Sequence, residues 1–250
     1  MKDNTSTPAW ITAEWPAPDN IRAGSTTRRG GISAGPYHSF NLASHVGDNR
    51  NNVAENRRRL RSDLQLPAEP FWLQQIHSNR IIMCEKEPAY RQADGSYTNL
   101  AGRVCVVLTA DCLPVLLCDR LGTEIAAVHV GWRGFSRNII KNTLACFTNP
   151  PENLMAWLGP CISPTHYEID RHVRDACLRI APESVNSFVC SRPEHWFADL
   201  KRLVQQQLAI MGTTQIYQCC YCTYNDEPLF YSYRREPVCG RIATMIWMDS

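Results

Sequence analysis

The chain has 250 residues, 44% hydrophobic and 20% charged, with 26 basic against 24 acidic side chains and a net charge of +2. That balance suits a globular protein with a sizeable core, gives no electrostatic case for a nucleic-acid partner, and leaves no window near the roughly 18 apolar residues of a membrane span. The 12 cysteines are many, but Cys105, Cys118, Cys146, Cys177 and Cys190 sit in apolar runs where a free thiol packs as a small hydrophobe. With no apolar core in the first 20 residues to serve as a secretory signal, reduced thiols and a cytoplasmic location are expected.

Residues 1–20 read as irregular, and "NIRAGSTTRRGGISAGPYHSFNLASHVGD" (20–48), dense in Gly, Ser and Asn, reads as a long irregular segment over a functional surface. "NRNNVAENRRRLRSDLQL" (49–66) places Val53, Asn56/Arg57, Leu60 and Leu64 at helical spacing, and its basic run 56–63 is a solvated face. "FWLQQIHSNRIIMCE" (71–85) holds two strand-like pieces around His77. "RVCVVLTADCLPVLLCD" (103–119) is a buried apolar stretch interrupted by Asp111, Cys112 and Pro114, where Pro114 is expected to end the regular ladder. "RLG" turns it into the strand "TEIAAVHVGW". "FSRNIIKNTLACF" is expected to be helical and "LMAWLGPCI" to be a strand. "DRHVRDACLRI" and "DLKRLVQQQLAIMG" are amphipathic helices, the second closed by Gly212, and "TQIYQCCYC" and "RIATMIWM" are late strands. Hairpins mixed with helices indicate one α/β domain over 1–250 with mixed or antiparallel sheets.

The irregular points carry the chemistry. His77 ends "WLQQIH", Cys112 breaks "LTADCLP" and His129 nearly ends "AAVHVGWRG". Two imidazoles and a thiolate suit zinc, and a three-ligand set keeps a position open for water or substrate. Other readings of the same residues stand beside this one. Strand-end histidines and a buried cysteine can simply be core; Cys112 can be a nucleophile activated by a histidine; a metal can be purely structural. "CCYC" (219–222) has no second Cys or His pair at finger spacing. Arg133 follows His129 by four residues between Gly131 and Gly134, placed to hold a phosphate or carboxylate.

"TTRRGGISAGPYHSFNLASHVGD", "WLQQIHSNRI", "LTADCLPVLLCD", "AAVHVGWRG", "AWLGPCISPTHYEI", "CTYNDEPLFYSYRRE" and "GRIATMIWM" together resemble the YfiH-type family. Its members carry the names polyphenol oxidase (laccase-like), purine nucleoside phosphorylase and peptidoglycan editing factor. The resemblance implies two mixed β-sheets packed between helical layers, an α-β-β-α sandwich. It implies a catalytic zinc on His77, Cys112 and His129; if Cys112 binds metal, Asp111 orients a ligand or acts on the bound water, and otherwise it is a turn carboxylate capping nearby backbone amides. It places Arg28 and Asn41 at pocket positions; His45 and Arg234, with Arg133, are further candidates for substrate contact. The activity it implies is zinc-dependent phosphorolysis of adenosine, inosine, guanosine and methylthioadenosine, with adenosine deamination. An alternative is a cytoplasmic amidase removing L-Ser from a UDP-muramoyl peptidoglycan precursor. A weaker alternative is copper-dependent phenol oxidation, since copper can occupy such a site adventitiously. In every case the partner is a small molecule. One departure from the family pattern, Ser96 in "ADGSYT", bears on the pocket wall.

Overall fold

The computed structural model describes residues 9–84 and 91–249. In chain order the elements are β1 (Trp10–Thr12), β2 (Ile21–Thr26), α1 (Arg50–Asp63), β3 (Ile81–Met83), β4 (Gly95–Thr98), β5 (Val104–Thr109), β6 (Leu113–Asp119), β7 (Ile125–Val130), α2 (Trp132–Phe135) and α3 (Ile139–Leu144). They continue as β8 (Leu154–Leu158), β9 (Glu168–Asp170), α4 (Arg171–Leu178), β10 (Phe188–Arg192), β11 (His195–Ala198), α5 (Leu200–Ile210), β12 (Gln215–Gln218) and β13 (Ile242–Met248).

The buried run from Val104 to Asp119 is two strands, not one. β5 lies at the edge of a four-stranded antiparallel sheet, β1-β2-β13-β5, while β6 lies inside a six-stranded sheet, β12-β8-β6-β7-β4-β3. The second sheet is antiparallel through its middle and parallel at both ends, β12 with β8 and β3 with β4. Residues 110–112 carry the chain from one sheet to the other, which is why the apolar pattern breaks there.

Side-chain alternation sets the layers. In β5, Val104, Val106 and Leu108 pack with Leu60 of α1, Phe40 and Leu42, while Cys105 and Val107 face the second sheet. In β6, Leu116 and Cys118 meet them in the inter-sheet core around Trp157, and Leu113, Val115 and Leu117 turn to α3 and α5. β5, β6, β7, β8 and β13 are buried at every position and mostly apolar, as strands covered on both faces are. The expected helix–sheet–sheet–helix order is therefore present.

Several local expectations are corrected. Trp10–Thr12 and Ile21–Thr26, read as irregular, are strands of the first sheet. A third, three-stranded sheet, β10-β11-β9, was not anticipated. Residues 71–77 form isolated bridges (Phe71 with Cys105, Gln74 with Gln92) rather than a strand. "FSRNIIKNTLACF" is not one helix, because Asn138 at φ 65° separates α2 from α3. Pro114 does not end a ladder. It is the second residue of β6, opposite His129, and its carbonyl accepts the Gly159 N–H at 2.9 Å.

Candidate metal centre

Pairing of β6 with β7 sets Leu113 opposite Val130, so Cys112 and the segment 129–131 meet at one end of the hairpin. His77 arrives from the loop after Gln74, held in the left-handed region at φ 56°. The ligand atoms of His77, Cys112 and His129 all lie within 4.8 Å of one another. The two imidazole rings stand edge to face with centroids 4.9 Å apart. Gly131 keeps the space open: a Cβ there would lie 3.0 Å from Cys112 Sγ and 3.4 Å from His77 Cδ2.

The charges are set by neighbours. Burial disfavours the Cys112 thiolate, yet the charge and hydrogen bonds of His129 and His77 outweigh it and bring the pKa to about 6. Burial likewise disfavours protonated His129, but the Cys112 thiolate and Asp94 raise its pKa to about 9. Asp94 is fully buried and lies 2.9 Å from His129 Nδ1, which leaves Nε2 as the free donor atom. Burial would raise the Asp94 pKa; the contacts with His129 and Ser78 hold it below its usual value. Two imidazoles, one anchored by a carboxylate, and a ready thiolate fit zinc or copper. Among the described residues this is the one such group.

The cluster lies in the wall of a cavity of about 630 Å³. Arg133, His45, Arg234 and Asp111 also line it. Arg133 is exposed and stacks over the Trp132 ring at 4.5 Å. The His45 pKa is lowered by partial burial and by Arg241 and Arg57. Arg234 spends its guanidinium on the carbonyls of His166 and Glu168, each at 3.2 Å. The Asp111 carboxylate accepts the Thr223 hydroxyl at 2.6 Å and the Arg234 N–H at 2.7 Å, so it anchors the 223–234 loop. At φ 86° Asp111 is also the left-handed residue at which the chain changes sheets.

Two expected pocket residues lie outside the cavity. Arg28 donates to the His38 carbonyl at 2.8 Å and covers the Tyr231 ring at 4.6 Å. Asn41 is fully buried, and its amide is used up on Ala43, Asp48 and the Arg241 N–H. Ser96 is not at the pocket wall; it is buried in β4, opposite Ala127. The residue of "ADGSYT" that reaches the site is Asp94, which sequence reasoning passed over. It also missed Tyr167, Tyr233 and Arg241, all lining the cavity. An acid directly before a strand was the available signal for Asp94; nothing marked the others.

Fold and cluster together define a layered α/β protein with a three-donor site able to hold a metal ion. Residues 22–249 match the family described as multi-copper polyphenol oxidoreductase laccase. A protein of Escherichia coli (strain K12) named purine nucleoside phosphorylase YfiH is 44% identical over 239 residues, 95% of this chain and 98% of its own. The Pseudomonas aeruginosa purine nucleoside phosphorylase PA4543 is 41% identical over 242 residues, covering 96% and 99%. The crystal structure of Neisseria meningitidis protein NMB0706 aligns with a TM-score of 0.93 at 40% identity, over 97% of this chain and 100% of that one. YlmD of Geobacillus stearothermophilus aligns with a TM-score of 0.92 at 30% identity, over 98% and 97%. The chain belongs to this YfiH-type family.

Proposed function

We propose that the chain is a zinc-dependent purine nucleoside phosphorylase of the cytoplasm, acting on adenosine, inosine, guanosine and methylthioadenosine and also deaminating adenosine. The observation that carries this is the gathering of three donor atoms within 4.8 Å in the wall of a cavity that also exposes arginines. The names of relatives at 44% and 41% identity select purine nucleosides among the small molecules such a site could take. Zinc bound there would supply a Lewis acid and lower the pKa of whatever water or hydroxyl takes its open position.

The chain's own groups supply the rest. In phosphorolysis a phosphate oxygen bonds to the ribose carbon as the glycosidic C–N bond breaks; the bond's electron pair goes to the base, which takes up a proton. Arg133, with no ion pair among the described residues, is free to grip phosphate through two N–H groups. Arg241 commits Nη1 to the carbonyls of Cys239 and Gly240 and so turns a fixed positive charge to the same cavity. Tyr167 and Tyr233 also line the cavity, with Arg234 over the first ring at 5.5 Å and Arg241 over the second at 5.8 Å. Burial pushes the Tyr167 phenol far up, so it stays protonated and can donate a hydrogen bond. Asp111 acts by holding the Arg234 loop against the cavity.

A four-copper centre has no second cluster to occupy among the described residues. His166 stacks on Tyr224 and His172 sets its edge against Trp132. The test is metal content and nucleoside phosphorolysis on one preparation of the native chain and of Cys112→Ala. Loss of both zinc and turnover in a folded variant is expected. Full turnover without zinc would overturn the reading, and turnover of a UDP-muramoyl precursor in place of nucleosides would move it to amide hydrolysis.

A further inference from the structure

Both histidine segments of the cluster converge on one side chain. Asp94 Oδ1 lies 2.9 Å from His129 Nδ1 and accepts the His77 N–H at 3.0 Å. Oδ2 accepts the N–H groups of Ile76 at 3.3 Å and Ser78 at 2.5 Å, and the Ser78 hydroxyl at 2.7 Å. The main chain repeats the tie: the Asp94 carbonyl accepts the His129 N–H at 2.7 Å, and its own N–H donates to the Arg80 carbonyl at 3.0 Å.

A carboxylate buried this completely survives only when every lone pair is used. Here each bond it accepts comes from a segment that carries a ligand. Three consecutive amides wrapped around one carboxylate hold the turn at residues 76–78, and within it His77 keeps a left-handed φ of 56° that a non-glycine residue adopts only under constraint. The same oxygen that takes the His77 amide also faces the His129 ring, so the two imidazoles share one reference point.

We propose that Asp94 is the positioning residue of the metal cluster. It touches neither metal nor substrate, but fixes the tautomer and direction of His129 and the turn that presents His77, and thereby sets how tightly and in what geometry a metal is held. This rests on the metal reading of the triad.

The test is Asp94→Asn beside Ser78→Ala, each titrated with zinc against a chromophoric chelator and then loaded with cobalt(II) for visible absorption. Asp94→Asn is expected to weaken zinc about 10- to 100-fold and to change the cobalt spectrum. Ser78→Ala removes a donor to the same carboxylate without touching His129; it is expected to lower thermal stability and leave affinity and spectrum as in the native chain. A folded Asp94→Asn that binds zinc natively with an unchanged cobalt spectrum would reduce Asp94 to a structural residue. Should that variant fail to fold, nitrogen NMR of the zinc-loaded native protein decides: a protonated His129 Nδ1 with metal on Nε2 supports the proposal, and the opposite tautomer overturns it. A native chain that binds neither zinc nor cobalt would instead remove the metal reading, and this inference with it.

Discussion

A methyl group on Gly131 would press on two of the three donors at once, with its Cβ 3.0 Å from Cys112 Sγ and 3.4 Å from the His77 ring. The residue is at φ −90°, an ordinary conformation, so the constraint is space and not backbone freedom. Gly131→Ala should therefore fold and keep its secondary structure while zinc affinity falls by roughly tenfold or more, on the scale of other changes that displace a ligand's support. Circular dichroism with a chelator competition checks both halves. A variant with native affinity would mean that the donors relax freely. The same scale shows what a sequence can disclose about a site. His77, Cys112 and His129 stood out as candidates because each interrupts or ends an apolar run, and the family resemblance singled out the metal reading among the alternatives. Asn41 and Arg28 also sit in an irregular, polar stretch, and they spend their polar groups within it, Asn41 on Asp48 and Arg28 on the His38 carbonyl, with Arg241 as a distant partner of Asn41, which no residue pattern marked. Asp94 was illegible for the same reason: its meaning lies in amides 16 to 18 residues away and a ring 35 residues away.

The β6–β7 hairpin is the element that brings Cys112 to His129, and its far end is closed by two buried acids. Asp119 accepts the Thr123 and Glu124 N–H groups at 2.6 and 2.8 Å. Glu124 accepts the Tyr97 hydroxyl, the Thr148 N–H at 2.7 Å and the Asn149 N–H at 3.0 Å. Burial opposes the Glu124 charge, but the Thr148 amide, the Tyr97 hydroxyl and Asn149 hold its pKa at about 2 against an ordinary 4.5. A folded-state pKa below the unfolded one contributes stability that is complete above pH 4.5 and disappears as pH falls towards 2. Glu124→Gln should then cost about 2 kcal/mol at pH 7, and the difference from native should shrink between pH 4.5 and 2. Urea unfolding at several pH values measures it; a difference independent of pH would show that shape, not charge, holds the corner. At this scale α1, α4 and α5 were legible from periodicity, and in the structure the side chains of Asn49, Asp170 and Asp199 cap them. The three- to five-residue strands β1, β9, β10 and β11 were not legible, being too short for alternation to register. The helical period of 135–147 ran straight through Asn138 because nothing in a periodicity marks a single left-handed residue.

Across the whole molecule the site sits where the two sheets exchange the chain. The layer order followed from the family resemblance; the strand pattern by itself showed only that the central strands are covered on both faces. The crossing of residues 110–112 between sheets was not foreseeable, because two consecutive buried strands look alike in sequence whether they share a sheet or not. The placement has a thermodynamic consequence. Cys112 leads into β6, His129 is the penultimate residue of β7, and His77 is tied through Asp94 to the start of β4, so a metal held by all three would cross-link the six-stranded sheet to the loop beside it. Asp111, one residue earlier, ties the same point to the 223–234 loop. Unfolding separates every one of these segments, so the unfolded chain retains no assembled triad, and zinc bound there would stabilise by its preference for the native state. With free zinc at about 100 times its dissociation constant the gain should be about 2.7 kcal/mol, less whatever the unfolded cysteines and histidines bind. It should appear as a higher denaturant midpoint with an unchanged slope, since the surface exposed on unfolding is the same. Cys112→Ala should lose the zinc-dependent increment, while its metal-free midpoint falls only by what the packing of this largely buried thiol contributes. If zinc raises the midpoint of Cys112→Ala as much as that of the native chain, the stabilising ion is bound elsewhere and the triad is not its site.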